Sequence, residues 1–366
     1  MTQQPPPNLP PPYPQPGQMP PVYFPPPMFY PPPPRERGGF ARAIFTTLAV
    51  SILGFSITLN IYLLIAQGLF SGESGTGIKK ETLTSGNIQT VIAVVPVEGV
   101  IWGASADDLD KLLDEIEADP AVKAVVLEID SPGGEVTASD EMYNRLLRFK
   151  AEKKIPVITS MQGYAASGGY YIACATDQIV AQSTTSTGSI GVLWGGINVA
   201  ELMNKYGVKE DFTVSTGSTL KTAGSPYHVP TPDELAYRQK LVDAHMALFK
   251  SVVATGRKLD QASVDRLATG QIFLGPDAKS LKLVDDVGFL DDAVRIASKK
   301  AGLSGAQVVR YTREVSFWES LAGQGQSRAS RSNLVQAEVG NMKVSIDPHV
   351  LSDLLSPRPM FLCRGQ

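Results

Sequence analysis

The chain has 366 residues, room for more than one domain of ~150 residues and fewer than three. Lys and Arg total 33 against 36 Asp and Glu, so the net charge of −3 lacks the basic excess of a nucleic-acid binder. Two cysteines, Cys174 and Cys363, exclude a disulfide scaffold or an all-cysteine zinc cluster, and the scattered His228, His245 and His349 offer no metal-ligand spacing.

The composition is uneven along the chain. Of the 28 prolines, 17 fall within the first 34 residues. Proline fixes φ and removes an amide donor, so polyproline II or a solvated tail is expected over 1–34, with a proline-recognition partner as the functional alternative. Residues 43–70 form a 28-residue stretch without a charged side chain. A helix needs ~20 residues to cross the hydrocarbon core, and a cleavable signal has a shorter apolar region nearer the start. A retained anchor is expected here. Arg35, Arg37 and Arg42 precede it closely, which places the tail (1–42) in the cytoplasm and the larger domain outside.

Residues 71–88, rich in Gly, Ser and Thr at first, read as a linker. An alternating βα pattern follows. Val91–Val97 and Val122–Ile129 read as strands. Leu109, Leu112, Leu113 and Ile116 share one helical face, as do Met142, Leu146 and Phe149. Pro156–Thr159 and Ile179–Ala181 are shorter strands, and a helix can open at Gly168. Further helices are expected over Asp233–Val253, Val264–Leu267 and Asp291–Ala301. Strands alternating with helices imply parallel pairing through crossovers, hence an α/β fold over 89–303. Residues 304–366 read as a partly flexible C-terminal extension, with the polar stretch 323–333 its most flexible part.

Two glycine-containing turns follow predicted strands: Asp130-Ser131-Pro132-Gly133-Gly134 and Gly163-Tyr164-Ala165-Ala166-Ser167-Gly168-Gly169. Both lie where a parallel strand hands over to a helix, the usual ligand edge of open α/β sheets. Ser167, among small residues and before two glycines, suits a nucleophile with an oxyanion donor beside it. A small-residue helix start packed on the sheet explains the same pattern. Neither a G-x-S-x-G elbow nor a phosphate loop is met. No histidine lies near either turn in sequence. His228, in a proline-bounded loop, and His245, on an expected helix, read as surface or packing residues. Lys221 stands among small uncharged neighbours in 218–226, and a lysine acts as a base only when its pKa is depressed. Cys174, on a predicted helix face, reads as buried.

Together these motifs resemble the signal peptide peptidase A family of membrane-anchored serine peptidases, whose core is ClpP/crotonase-like. The resemblance covers residues 92–301. It is carried by D-S-P-G-G-E-V-T-A-S at 130–139, G-Y-A-A-S-G-G-Y-Y-I-A at 163–173, S-T-T-S-T-G-S-I-G-V at 183–192 and the 221–226 stretch. It implies a ClpP/crotonase-like fold of parallel βαβ units behind one transmembrane helix. It further implies Ser167 as nucleophile, Lys221 as general base, Ser189 orienting the lysine, and Gly133 or Gly134 with Gly168 as oxyanion donors. Thr222 stands where the family commonly carries Asp. The implied substrates are remnant signal peptides and other extended apolar peptides, with no cofactor. The implied assembly is a ring whose sites take serine and lysine from neighbouring subunits. The apolar C-terminal end could lie in a neighbour's groove. Three other readings share parts of the pattern: a membrane-bound ClpP-class peptidase with another substrate, a crotonase-type acyl-coenzyme A enzyme, and a catalytically silent scaffold.

Overall fold

The computed structural model describes residues 39–70, 77–313, 335–339, 342–346 and 359–362. The proline-rich tail, the 323–333 stretch and Cys363 lie outside the described residues. The chain divides into two units, 1–73 and 74–366.

In the first unit, helix α1 (Gly39–Phe70) contains the uncharged stretch. Its segment Arg42–Leu63, 22 residues with mean hydropathy 1.9, is long and apolar enough to cross a bilayer.

The second unit is a parallel sheet covered on both faces. In chain order it runs β1 (Ile78–Thr84), β2 (Asn87–Glu98), α2 (Gly103–Ala118), β3 (Val122–Ser131), β4 (Gly133–Glu135), α3 (Val136–Lys153), β5 (Val157–Ala166) and α4 (Gly168–Ala173). Then come β6 (Gln178–Ala181), β7 (Ser186–Gly188), β8 (Leu193–Trp194), α5 (Ala200–Lys205), α6 (Pro232–Arg257), α7 (Gln261–Leu267), β9 (Ile272–Leu274) and α8 (Gly275–Ser280). The last elements are β10 (Asp286–Val287), α9 (Leu290–Lys300), β11 (Ala306–Arg313), β12 (Val335–Val339), β13 (Met342–Ile346) and β14 (Pro359–Leu362). The main sheet has the order β1-β11-β2-β3-β5-β6-β10. Its pairs are parallel from β11 to β10, and β1 closes one edge antiparallel to β11.

Strands buried on both faces need apolar side chains at successive positions, which is why β2 and β3 are near-continuous Val, Ile and Leu. Val91, Ala93 and Val95 face α2, α3 and α4 in the larger core with Val125, Leu127 and Ile129. Their alternates Ile92, Val94, Ala124 and Val126 pack with Ala293 and Ala297 of α9 in the smaller one. Helix α6 starts at a capping box in which the Thr231 hydroxyl accepts from the Glu234 amide, with Pro232 at the first helical position.

Three features differ from the sequence reading. The stretch read as a linker holds β1, and the stretch beyond 303 holds β11, so the core sheet draws a strand from each. Strand β5 is longer than Pro156–Thr159 and runs on to Ala166, so the second glycine-containing turn is strand until one residue before Ser167. Residues 133–135 form strand β4 rather than an open turn. It joins β14 and β8 in a small antiparallel sheet, order β4-β14-β8.

Candidate active site

Ser167 sits at the point where β5 becomes α4. Its φ of 53° and ψ of −115° lie in a region that side chains with a Cβ seldom occupy. Such a conformation costs on the order of 1–3 kcal/mol and persists only where its surroundings over-determine it. Here they do. The Ser167 amide donates to the Gly188 carbonyl at 2.8 Å, and the Ser167 carbonyl accepts the first helical bond from Tyr171 at 2.8 Å. Helix α4 is in turn pinned by Tyr170, whose hydroxyl donates to the Leu283 carbonyl at 2.9 Å, and by Tyr171, donating to Asp140 at 2.6 Å. Burial pushes the Tyr170 phenol well above its ordinary pKa, so it stays a donor. The result is a sharp strand-to-helix elbow without the G-x-S-x-G sequence. Ser167 is 1 % exposed, and its Oγ has no hydrogen-bond partner among the described residues. A buried hydroxyl left unpaired is costly, which is characteristic of groups kept for chemistry.

Strand β4 runs past this elbow. The Gly133 amide is taken by the Ser131 hydroxyl at 3.1 Å. The Gly133 carbonyl accepts from the Ile101 amide and the Glu135 amide donates to the Ile101 carbonyl, at 3.0 and 2.8 Å. Strand alternation therefore turns the Gly134 amide and carbonyl to the opposite edge. That edge is where β14 lies, antiparallel, with Phe361 opposite Gly134 and Leu362 opposite Gly133. On its other side β14 pairs with Leu193 and Trp194 of β8. Glycine is required at 134 because a Cβ would come within 2.0 Å of the Ile101 carbonyl oxygen. A Cβ at Gly168 would lie 3.1 Å from the Gly134 amide nitrogen, which measures how closely the two glycines approach.

Ser189 follows Gly188 directly, is buried, and also has a positive φ of 50°. It borders a cleft of about 740 Å³ lined by Ile190, Val192, Leu193, Met246 and Ile272, apolar side chains continuing from the β8 edge. Thus Ser167, Ser189, Gly133, Gly134 and Gly168 cluster at the ends of β3, β5 and β7. Lys221 does not join them. It is exposed, in the turn-rich segment 216–228, beside a separate cleft of about 460 Å³ bordered by Phe212, Val214 and Pro226. No hydrogen bond links it to Ser167, whose Oγ is unpartnered among the described residues.

Some residues of the site had no assigned role in the sequence reading. Ser131 fixes the β4 turn, and the Asp130 carboxylate accepts from the Tyr164 amide at 2.9 Å, tying the two glycine-rich segments together. Both stand inside the D-S-P-G-G motif, which was the available signal. His228, read as surface or packing, instead lies between two carboxylates, Glu210 and Glu234. Cys174 is buried as expected, and burial pushes its thiol up to about 12, far from a reactive thiolate.

A buried, unpartnered serine at a strand-to-helix elbow on a parallel sheet, beside the backbone edge that carries β14, is the arrangement of an α/β serine hydrolase. Residues 149–304 match Peptidase family S49, and 91–206 match the family described as NfeD1b, N-terminal domain. A protein of Enterococcus faecium named as a candidate signal peptide peptidase SppA is 36% identical, the match covering 79% of this chain and 85% of that one. The chloroplastic serine protease SPPA of Arabidopsis thaliana is 35% identical over 62% of this chain but 35% of its own length. Protease 4 of Haemophilus influenzae is 36% identical over 58% of this chain and also 35% of its own length. A solved structure of the 1510-N membrane-bound stomatin-specific protease with a substrate peptide overlays with TM-score 0.40 and 17% identity, covering 65% of this chain and 98% of that one. The Enterococcus relative settles the family: this chain belongs to the signal peptide peptidase A family of serine peptidases. It is a serine endopeptidase, and its helix α1 is long and apolar enough to cross a membrane.

Proposed function

We propose that this peptidase cleaves extended apolar peptides, remnant signal peptides among them, on the outer side of the cytoplasmic membrane. The observation that carries the reading is the edge of β4. A chain segment lies there antiparallel, held between Gly133–Glu135 and Leu193–Trp194, so the groove takes a peptide through its backbone. Backbone pairing is indifferent to sequence, and the apolar cleft beside Ser189 favours apolar side chains.

In this reading neutral Lys221 takes the proton of Ser167 as Oγ attacks the peptide carbonyl. The tetrahedral oxyanion is held by the Gly134 and Gly168 amides, each worth about 3–4 kcal/mol in comparable peptidases. Gly134 is favoured over Gly133 because the Gly133 amide is already spent on Ser131. Lysine then protonates the leaving amine, and water hydrolyses the acyl-enzyme through the same groups. Ser189 orients the lysine amine.

In this reading the base comes from elsewhere, since Lys221 is exposed and Ser167 Oγ has no partner among the described residues. A neighbouring subunit supplies it in a ring. Ile197, Leu202, Tyr206, Phe212 and Val229, around the Lys221 segment, are all more than half exposed, an apolar area suited to a second copy. Arg35, Arg37 and Arg42 support a cytoplasmic tail and an external catalytic domain. Added protease should then remove that domain from spheroplasts and spare the tail.

The test of the function uses the full chain in detergent with an apolar peptide and a serine-reactive phosphonate. Cleavage and labelling at Ser167, both lost in Ser167→Ala, are expected. Turnover retained by Ser167→Ala, or labelling elsewhere, would end the reading.

A further inference from the structure

We propose that His228 is a positioning residue for the catalytic lysine: as an imidazolium it clamps the Lys221 segment between Glu210 and Glu234, and loss of its proton releases that segment. This rests on Lys221 being the base.

The contacts form one connected network. His228 Nδ1 lies 2.8 Å from Glu210 Oε2, and Nε2 lies 3.0 Å from Glu234 Oε2 and 3.1 Å from Oε1. Glu234 holds the residue next to the lysine, because the Thr222 hydroxyl donates to Glu234 Oε1 at 3.1 Å. Glu210 accepts from the Ser225 hydroxyl, and the Ser225 amide donates to the Thr222 carbonyl at 2.8 Å. Both grips on the segment therefore end on carboxylates that His228 joins. The Asn198 side chain donates to the His228 carbonyl at 2.7 Å and fixes the histidine backbone.

The proton count follows from chemistry. Ionised carboxylates only accept, so both ring nitrogens must donate, and only imidazolium carries two N–H groups. The Glu234 side chain is 3 % exposed, so an unpaired charge there would be costly. The charged groups that bear on His228 are Glu210, from the segment after α5, and Glu234, from α6. Thr222, Ser225 and Thr231 complete the network as neutral groups. The Glu234 hydrogen bond, followed by that of Glu210, outweighs burial and holds His228 above its ordinary 6.5. Glu234 is pushed up by burial but held lower overall by the Thr231 amide and by His228. As pH rises, one ring nitrogen becomes a lone pair facing a carboxylate, and one grip is lost. The lysine needs the opposite change, since it works only when neutral. Activity should therefore rise with lysine deprotonation and fall with that of His228.

The experiment measures kcat and KM against pH for the full chain, His228→Gln and Glu234→Gln. The glutamine at 228 does not titrate, so His228→Gln should lose the alkaline fall, with kcat down about tenfold or more and KM little changed. Glu234→Gln removes the carboxylate that does most to keep His228 protonated, so its alkaline fall should move to lower pH relative to its own plateau. Hydrogen exchange of the 220–225 amides should quicken in the wild type as His228, followed by carbon-13 labelling, loses its proton. An unchanged alkaline limb in His228→Gln, or exchange that ignores the histidine titration, would overturn the clamp. Failure of the base assignment looks different: Lys221→Ala would keep turnover while exchange still followed His228.

Discussion

The amide of Ser167 donates to the carbonyl of Gly188, so the expected nucleophile and the residue preceding Ser189 are locked together at 2.8 Å. Both serines have positive φ, 53° and 50°, in a chain where only five described non-glycine residues do. A strained Ser167 bonded to the residue that precedes a second positive-φ serine is hard to explain by packing alone, since glycine would sit in either conformation without cost.

That cost predicts a separation of stability from activity. Ser167→Ala and Ser167→Gly should both be inactive, as neither has a nucleophile. The glycine variant should nevertheless be the more stable, by about 1 kcal/mol, because strain relief exceeds the entropy glycine loses on folding. Thermal melts of the two proteins decide it. An alanine variant at least as stable as the glycine variant would mean that the elbow is not strained.

The fit of β4 against Ile101 gives a second contrast. An added methyl at Gly134 meets backbone atoms at 2.0 to 2.7 Å, none of which can swing aside. Gly134→Ala should shift β4, abolish turnover and destabilise by about 1–3 kcal/mol. Gly163→Ala, in the same groove region, meets only an Asp130 side-chain oxygen at 3.4 Å and should be nearly neutral for stability. Denaturant titrations of both variants check the difference. Equal stabilities would show that β4 gives way.

The parallel core was legible because strands buried on both faces must be apolar at successive positions, as in Ala124–Leu127. The small-residue pattern before Gly168 likewise marked the elbow. Strand β1 was not legible. Its sequence Ile-Lys-Lys-Glu-Thr-Leu-Thr is almost wholly exposed, and it is held by pairing with β11 at the far end of the chain. No local pattern reports a partner so distant. The end of β5 was missed because Gly163 and two alanines read as a turn, whereas the Asp130 contact and the pairing to β7 keep them extended. The His228 clamp joins residues 210, 222, 225, 228 and 234, and only the Thr231–Glu234 capping box had a recognisable spacing.

Strand β14 occupies the edge of β4 on which a substrate would lie. A tethered segment competes at an effective concentration of up to about millimolar. Ending the chain at residue 358 should therefore lower KM for an apolar peptide several-fold and leave kcat nearly unchanged. A synthetic peptide of residues 359–366 should inhibit the shortened enzyme competitively. An unchanged KM would mean that β14 leaves the groove freely in the intact protein.

The shared site yields the most discriminating prediction. A ring is built from a heterologous contact in which one face of each subunit meets a different face of the next. If Ser167 of one subunit meets Lys221 of its neighbour, inactive variants can complement each other. In rings assembled at random from equal amounts of Ser167→Ala and Lys221→Ala, an active site needs an intact serine beside an intact lysine. Each occurs with a chance of one half, so roughly a quarter of sites should recover. If both groups came from one chain, every site would carry a defect. Co-expression of the two full-length variants with different tags, with tandem purification in detergent, yields the mixed assemblies. Correcting for composition, turnover near a quarter of the wild type supports the shared site. Absence of turnover in assemblies that carry both tags would return the dyad to a single chain. The exposed position of Lys221 would then have to reflect a segment that folds inward when a peptide binds.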